Sequence, residues 1–355
     1  MDYRFLIYIN HNYALPIGLP LQEEIKKRGY QVKWFSGMEP PKKYFPENGE
    51  LIESIEDAVA YEPHIVLTIT DSVPDFISGL KVQVFHGFPA NKRKGTDQFT
   101  IRGFFDLYCT QGPSSTIPFK ERQEKFRTFE VIETGWSKVD PLFPLETTVN
   151  EKPKILISST FTKQYSLALK DEVVKEIERL SNTGKYDFMA VLHPKLRKET
   201  NDKFRSLENE HFKFYDTTDL IPLFKKADIM FSDTTSAIIE FLVQRKPVVT
   251  FRNNMPGPYL IDVQEIEDIE KSLDLALTKP DRLMKEIEEF AAYSHPYMDG
   301  KSSSRVIEAC IDFLHRDKSH LRKKPLNLIR RYKIRKQLGY FSLKSHRKAP
   351  FIPKP

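Results

Sequence analysis

Arg4-Phe5-Leu6-Ile7-Tyr8-Ile9, then Leu19 to Arg28, then Gln31 to Phe35, is the stretch on which the fold turns. The first piece is a run of apolar residues bounded by Asn10, the pattern of a strand buried on both faces. Leu19 to Arg28 carries apolar residues at helical spacing and is closed by Gly29. Gln31 to Phe35 returns to a strand pattern. A strand, a helix and a second strand within about 35 residues make a βαβ unit, whose crossover favours a parallel sheet with helices on its faces.

The alternation continues outward from that unit. Helix-like Leu51 to Tyr61 precedes a strand over His64 to Thr70, and helix-like Val73 to Leu80 precedes one over Lys81 to Phe85. Leu107 to Thr110 reads as a strand, followed by a helix after Gly112-Pro113 and a short strand over Phe129 to Ile132. Residues 141 to 153 hold three prolines and mixed charge, which marks a linker. The alternation then restarts, with strands expected over Ile155 to Ser158, Asp187 to Leu192, Phe212 to Tyr215, Asp228 to Phe231 and Pro247 to Phe251. Helices are expected between them, then near Glu265 to Leu277, Arg282 to Ala292 and Ser302 to Leu314. The expected fold class is α/β, two Rossmann-like doubly wound parallel-sheet domains facing a cleft. The domains are residues 1–145 and 146–315, with a basic tail over 316–355.

Composition agrees. The chain has 355 residues, 40% hydrophobic and 29% charged, enough apolar material for two cores. No apolar run approaches the ~20 residues that span a bilayer, and Phe5 to Ile9 is too short for the core of a secretion signal. The expectation is a cytoplasmic protein. Cys109 and Cys310 are read as buried thiols, since two distant cysteines make neither a disulfide framework nor a CxxC site. Between Arg316 and Pro355 stand fourteen Lys or Arg and one acid, so the tail carries +13 of a formal total of +6 and the body carries −7. Such a tail implies an anionic surface. Its apolar residues, among them Leu328, Ile329, Tyr332 and Leu338, suggest an amphipathic segment at an anionic membrane surface, with a disordered basic extension as the alternative. The acidic body gives nucleic acid no complementary groove, and no nucleic-acid partner is expected.

In doubly wound sheets ligands bind beyond the carboxyl ends of strands, so residues just after strands are the informative ones. His86 follows a hydrophobic strand and precedes Gly87 and Pro89, with the cations of Asn91-Lys92-Arg93-Lys94 behind it. An imidazole there either satisfies loop carbonyls or takes a proton from an attacking hydroxyl beside an anionic substrate. His193 repeats the pattern, followed by Pro194, Lys195 and Arg197. Asp233-Thr234-Thr235-Ser236 joins a strand to a helix, where hydroxyls and unpaired N–H groups either cap the helix or bind phosphate. Asp299-Gly300-Lys301-Ser302-Ser303 reads as a turn and a helix cap. His11, in the loop after the first strand, is a weaker candidate. A GxxxxGK[ST] loop, GxGxxG, HExxH, Gly-x-Ser-x-Gly and Asp-x-Asp are all missing. Their absence turns the reading away from P-loop NTPases, nicotinamide enzymes, zinc proteases, serine hydrolases and metal-dependent nucleotide-sugar sites.

His86-Gly87-x-Pro89, Gly135-Trp136-Ser137-Lys138-Val139-Asp140-x-Leu142-Phe143, Leu192-His193-Pro194, Ala227 to Ser236 and Asp299 to Ser303 stand in one order. In that order and spacing the chain, over residues 80 to 315, resembles the CDP-glycerol glycerophosphotransferase family, the primases and polymerases of wall teichoic acid and related capsule enzymes. The resemblance implies a GT-B fold, with the acceptor handled by the first domain and the CDP-alcohol by the second. It implies a metal-independent transfer of glycerol phosphate, or a related alditol phosphate, from CDP-glycerol or a similar CDP-alditol to a lipid-linked acceptor, releasing CMP and using no cofactor. Carried over by position, His86 and His193 become the catalytic pair. Asp233, Thr234, Thr235, Ser236, Ser302 and Ser303 become donor contacts, to which the sequence adds Lys195 beside His193, and His11, Gly87 and Lys92 are acceptor-side candidates. The expected location is peripheral, on the inner face of the cell membrane. The alternatives are a GT-B glycosyltransferase using a nucleotide sugar for capsule or lipopolysaccharide, and a non-catalytic nucleotide-sugar-binding protein.

Overall fold

The structure is a computed structural model and describes residues 2–39, 42, 45–46, 49–88, 98–146 and 150–342. Lys92 and Pro89 lie outside the described residues. The chain divides into two compact units, Met1–Pro141 with Asp299–Pro355, and Leu142–Met298.

The first unit is a seven-stranded parallel sheet in the order β3-β2-β1-β4-β5-β6-β7. Its strands are β1 (Arg4–Ile9), β2 (Gln31–Ser36), β3 (Leu51–Ile52), β4 (Ile65–Thr68), β5 (Leu80–Gln83), β6 (Leu107–Thr110) and β7 (Glu130–Glu133). Helix α1 (Leu15–Lys27) makes the first crossover, with α2 (Ile55–Ala60) and α3 (Pro113–Phe126) after it. β1 pairs in register with β2 on one side and β4 on the other, so the strand order reverses beside it. A switch point of this kind opens a crevice at the strands' carboxyl ends. Tyr8, Phe35, Val66, Phe85, Tyr108, Phe119 and Phe129 pack into one core.

The second unit is a six-stranded parallel sheet, β10-β9-β8-β11-β12-β13. It contains β8 (Lys154–Ser159), β9 (Asp187–Leu192), β10 (Phe212–Phe214), β11 (Ile229–Ser232), β12 (Val248–Phe251) and β13 (Ile261–Val263). Its helices are α4 (Asp171–Asn182), α5 (Lys198–Arg205), α6 (Ile221–Lys226), α7 (Ala237–Leu242), α8 (Ile269–Leu277) and α9 (Asp281–Ser294). Ile155, Ile157, Val173, Ile177, Phe188, Phe231 and Val249 build its core. Each unit is a doubly wound parallel sheet of the kind expected, and the architecture is GT-B type.

The chain's last stretch departs from the expected boundaries. Helix α10 (Ser302–His315) belongs to the first unit, where it packs on α1, β5 and β6. Its apolar stripe of Val306, Ile307, Cys310 and Phe313 is buried there. Cys109 and Cys310 are both buried and unoxidised, as expected. The tail then forms α11 (Leu328–Leu338), which is also laid on the first unit. Ile334 joins the core around Phe76, Tyr340 stacks on Phe76 at 4.5 Å, and Arg335 and Arg331 reach Asp75 at 3.2 and 3.9 Å. The single amphipathic stripe expected for the tail is therefore split. Ile334, Arg335 and Leu338 face the protein, while Leu328, Ile329 and Tyr332 face outward. Among the described residues, no helix is long and apolar enough to cross a membrane.

Candidate active site

In the first unit the loops after β1, β4 and β5 bring side chains together at the sheet's carboxyl end. Phe85 sits at φ +62°, a left-handed conformation that is rare for a bulky residue. Its ring is locked between Tyr108 and Phe119, at 6.2 and 5.1 Å. Burial of that ring offsets the strain, and the turn carries His86 out of the sheet to a half-buried position. Gly87 is buried and contributes its carbonyl, which accepts from Gln111 Nε2 at 3.0 Å and so ties the His86 turn to the loop after β6. His86 Nδ1 lies 3.8 Å from Asp71 Oδ1, and the other oxygen of Asp71 accepts from Arg102 at 2.9 Å. Tyr13 is tilted against His86 at 5.8 Å and stacks on His11 at 5.0 Å. Burial, followed by the nearby Asp71 carboxylate, pushes the Tyr13 phenol up to about 12.

Tyr13 thus lies between His86 and His11, the catalytic candidate and the weaker acceptor-side candidate of the sequence. Asp71, Arg102 and Tyr13 were missed by the sequence reading. Asp71 could have been found, because it follows the β4 strand as His86 follows β5. A carboxylate beside an imidazole favours its charged form and orients the ring. Such a pair can accept a proton from a hydroxyl, while Arg102 adds a cation for an anionic group.

In the second unit His193 follows β9. Its Nδ1 accepts from the Lys195 backbone N–H at 3.1 Å, which leaves the proton of the neutral ring on Nε2. Burial, and then the charge of Lys195, lowers its pKa below the ordinary 6.5. The ring packs on Phe161 at 4.5 Å, and Lys195 Nζ lies 5.1 Å over the same Phe161 ring. A neutral N–H donor, a cation and an aromatic face are therefore gathered on one loop pair, a set suited to a nucleotide phosphate and its base.

The loop after β11 is stitched to its neighbours. The Asp233 carboxylate accepts from Ser159 Oγ at 2.6 Å, from Leu167 N at 2.9 Å and from Thr160 N at 3.0 Å. It is fully buried, and burial pushes its pKa up against those hydrogen bonds. Asp233 was expected to contact the donor. Its acceptor capacity is instead spent on the chain, where it holds the loop after β8 in place. The Asp233 carbonyl accepts from Asn253 Nδ2 at 2.8 Å, and Thr234 Oγ1 accepts from Asn254 N at 3.1 Å. Thr235 and Ser236 remain at the open edge, with Thr235 Oγ1 accepting from Ala237 N at 3.4 Å as a weak cap of α7.

Ser302 and Ser303, also expected to contact the donor, are engaged elsewhere. Their backbone N–H groups donate to Asp140 at 2.8 and 2.7 Å, and Ser303 Oγ donates to the same carboxylate at 2.7 Å. Both serines are buried in the first unit, at the start of helix α10, and not in the second unit where the donor was expected. A helix start leaves its first N–H groups without intrahelical partners, and Asp140 satisfies two of them. Among the described residues, no group of three or more His, Cys, Asp or Glu could hold a metal ion.

A family model described as UDP-N-acetylglucosamine 2-epimerase matches residues 122–311, more than half of the chain. The chain belongs to the UDP-N-acetylglucosamine 2-epimerase family. The matched span of this epimerase-family chain includes His193, Lys195 and the loop after β11, and it begins after His86. Solved structures share its fold. A putative UDP-N-acetylglucosamine 2-epimerase from Listeria monocytogenes is 12% identical at a TM-score of 0.61, covering 90% of this chain and 98% of that one. The wall teichoic acid polymerase TagF is 14% identical at a TM-score of 0.63, covering 88% and 89%. MnaA of S. aureus, solved with UDP, is 13% identical at a TM-score of 0.60, covering 88% and 97%. No curated protein sequence matches this chain. The family shown is thus the epimerase family, and the likeness to the teichoic acid polymerase is one of fold.

Proposed function

We propose that this epimerase-family chain is a transferase that moves an alditol phosphate, glycerol phosphate first among the candidates, from a CDP-activated donor to a hydroxyl acceptor. The observation that carries the reading is the division of labour between two histidines at strand ends. His86 stands beside Asp71 with the surroundings of a base, whereas His193 is held neutral with Nε2–H as a donor. The order of motifs around them supports the same reaction class, as does a fold shared with a polymerase that has been soaked with CDPG.

In the proposed reaction the acceptor oxygen attacks the phosphorus distal to cytidine. A new P–O bond forms, the bond to the bridging oxygen breaks, and CMP leaves with the electron pair. The acceptor's proton passes to His86, whose charge the Asp71 carboxylate stabilises. Within the second unit, His193 Nε2–H and Lys195 Nζ are the groups suited to offset negative charge on a phosphate. Phosphoryl transfer needs little covalent help from protein, and positioning with charge stabilisation supplies the rate.

A second reading has its own support. The family match favours epimerisation at C2 of a UDP-sugar, which requires removal and return of a carbon-bound proton. One experiment separates the two. The protein is incubated in D2O with CDP-glycerol and a hydroxyl acceptor, and in parallel with UDP-N-acetylglucosamine. Acceptor-dependent CMP release that survives EDTA supports the transferase. Deuterium at C2 of the UDP-sugar, with no CMP released, overturns it in favour of the epimerase.

A further inference from the structure

Helix α11 has two faces of different character. The inner face, Arg331, Ile334, Arg335 and Leu338, recurs at the spacing of one helix side and is fixed to the first unit. Leu338 packs against Gly37, directly after β2, where an added Cβ would lie 2.4 Å from Leu338 Cδ2. Asp75, the partner of both arginines, lies in the loop after β4, four residues beyond Asp71. The helix is therefore a fixed part of the carboxyl-end rim of that sheet and is not a loose extension.

The outer face is apolar at its centre. Leu326, Leu328, Ile329, Tyr332 and Phe341 are 69, 68, 75, 58 and 56% exposed. The Tyr332 and Phe341 rings lie 6.3 Å apart, and among the described residues neither belongs to the core cluster of the first unit. Arg322, Lys323, Arg330, Lys333 and Lys336 are exposed around them, and no acid is exposed between residues 318 and 342. Isolated exposed apolar residues are ordinary, but a contiguous group ringed by one sign of charge marks an interaction surface.

We infer that this face is a docking surface for an anionic lipid bilayer, a role independent of how the site's chemistry is read. The charge selects the occupant. A second copy would bring the same cations against these. A nucleic acid would satisfy the cations but leave Leu328 and Ile329 in water. A lipid leaflet takes the apolar side chains into its acyl boundary and the cations at its headgroups. Because the inner face is already fixed, the bilayer meets a preformed surface at the end of the sheet that carries His86 and Asp71.

The test is co-sedimentation of the full chain with phosphatidylcholine vesicles, with and without phosphatidylglycerol, and without any substrate. One variant carries Leu328→Ser, Ile329→Ser and Tyr332→Ser. A second carries Arg330→Gln, Lys333→Gln and Lys336→Gln. All six side chains are outside the site machinery, and an unchanged melting temperature with intact exchange protection of α11 confirms the fold. Wild type should bind phosphatidylglycerol vesicles and not pure phosphatidylcholine. The apolar variant should lose at least about tenfold in affinity. The charge variant should lose about a hundredfold at low salt, since each Lys or Arg near such a surface contributes roughly fivefold. The inference is overturned if wild type binds neither vesicle or both equally, or if both variants bind as wild type does. It is also overturned if the apolar variant abolishes self-association while vesicle binding is unchanged.

Discussion

The N–H of Lys195 that donates to His193 Nδ1 settles which nitrogen of that ring bears its proton, and burial keeps the ring uncharged near pH 7. The pKa is lower in the folded chain than in the unfolded one, so the unfolded chain binds more protons as pH falls. The contribution of His193 to stability is then complete above about pH 6.5 and declines as pH drops through the lowered value. An NMR titration should place the His193 midpoint below 6.5, and His193→Ala should flatten the acid limb of the stability curve. A midpoint at or above 6.5 contradicts the assignment. His86 is set up differently, with Asp71 at its Nδ1 side and Arg102 beyond. His86→Ala should lower CMP release by at least about a hundredfold and Asp71→Asn by about tenfold, with melting temperature unchanged. Steady-state rates with a soluble acceptor check this, and near-normal turnover in His86→Ala removes the base from the mechanism. Asp140 acts on structure instead. Asp140→Ala leaves two buried N–H groups and the Ser303 hydroxyl without their acceptor, and should cost about 1–3 kcal/mol in urea unfolding.

Elements show where local pattern loses to distant contact. The strand over Asp187 to Leu192 forms as read, with the five residues after Asp187 buried in the sheet. The helix read over Val73 to Leu80 does not form. Pro74 lacks an N–H, and Gly79 sits at φ +87° with the Pro63 carbonyl 2.3 Å from where a Cβ would stand. The apolar spacing of Val73, Phe76 and Ile77 is real, but these side chains enter the core from a loop. Strands β3 and β13, two and three residues long, are too short to leave a periodic signal. The site followed the same rule. The positions of His86 and His193 just beyond β5 and β9 were legible because strand ends are legible. The inward turn of Asp233 and the capping of Ser302 by Asp140 were not, because their partners lie 66 to 74 and 162 residues away. The Asp75 clasp on Arg335 is another such contact. Both groups are largely buried, and removing one partner of a buried ion pair costs about 3–5 kcal/mol. Asp75→Ala should therefore release α11, seen as lost hydrogen-exchange protection over residues 328–338 with the second unit unchanged. Retained protection there shows that Ile334, Leu338 and Tyr340 alone hold the helix.

At the scale of the molecule, the second unit is an insertion. The chain leaves the first unit at residue 141 and re-enters it at 299, and the returning segment supplies α10 and α11. The second unit has its own sheet and its own core, so residues 142–298 expressed alone should unfold cooperatively. Residues 1–141 alone lack the helix that buries Val306, Ile307, Cys310 and Phe313, and should remain without a cooperative transition. Calorimetry on the two fragments distinguishes these outcomes, and a sharp transition in the 1–141 fragment would refute the insertion reading.

The insertion sets an order on the ribosome. Residues 1–141 hold all seven strands of their sheet, but the face on α1, β5 and β6 stays uncovered until α10 arrives, after the whole of the second unit has been made. Synthesis at about 5–20 residues per second puts roughly 10–30 s between the two events. During that interval β5, β6 and α1 wait with their apolar surfaces uncovered, while the later-made unit is free to finish first. The unit begun before the insertion is completed after it, and its nascent strands are where a chaperone would have the longest time to bind.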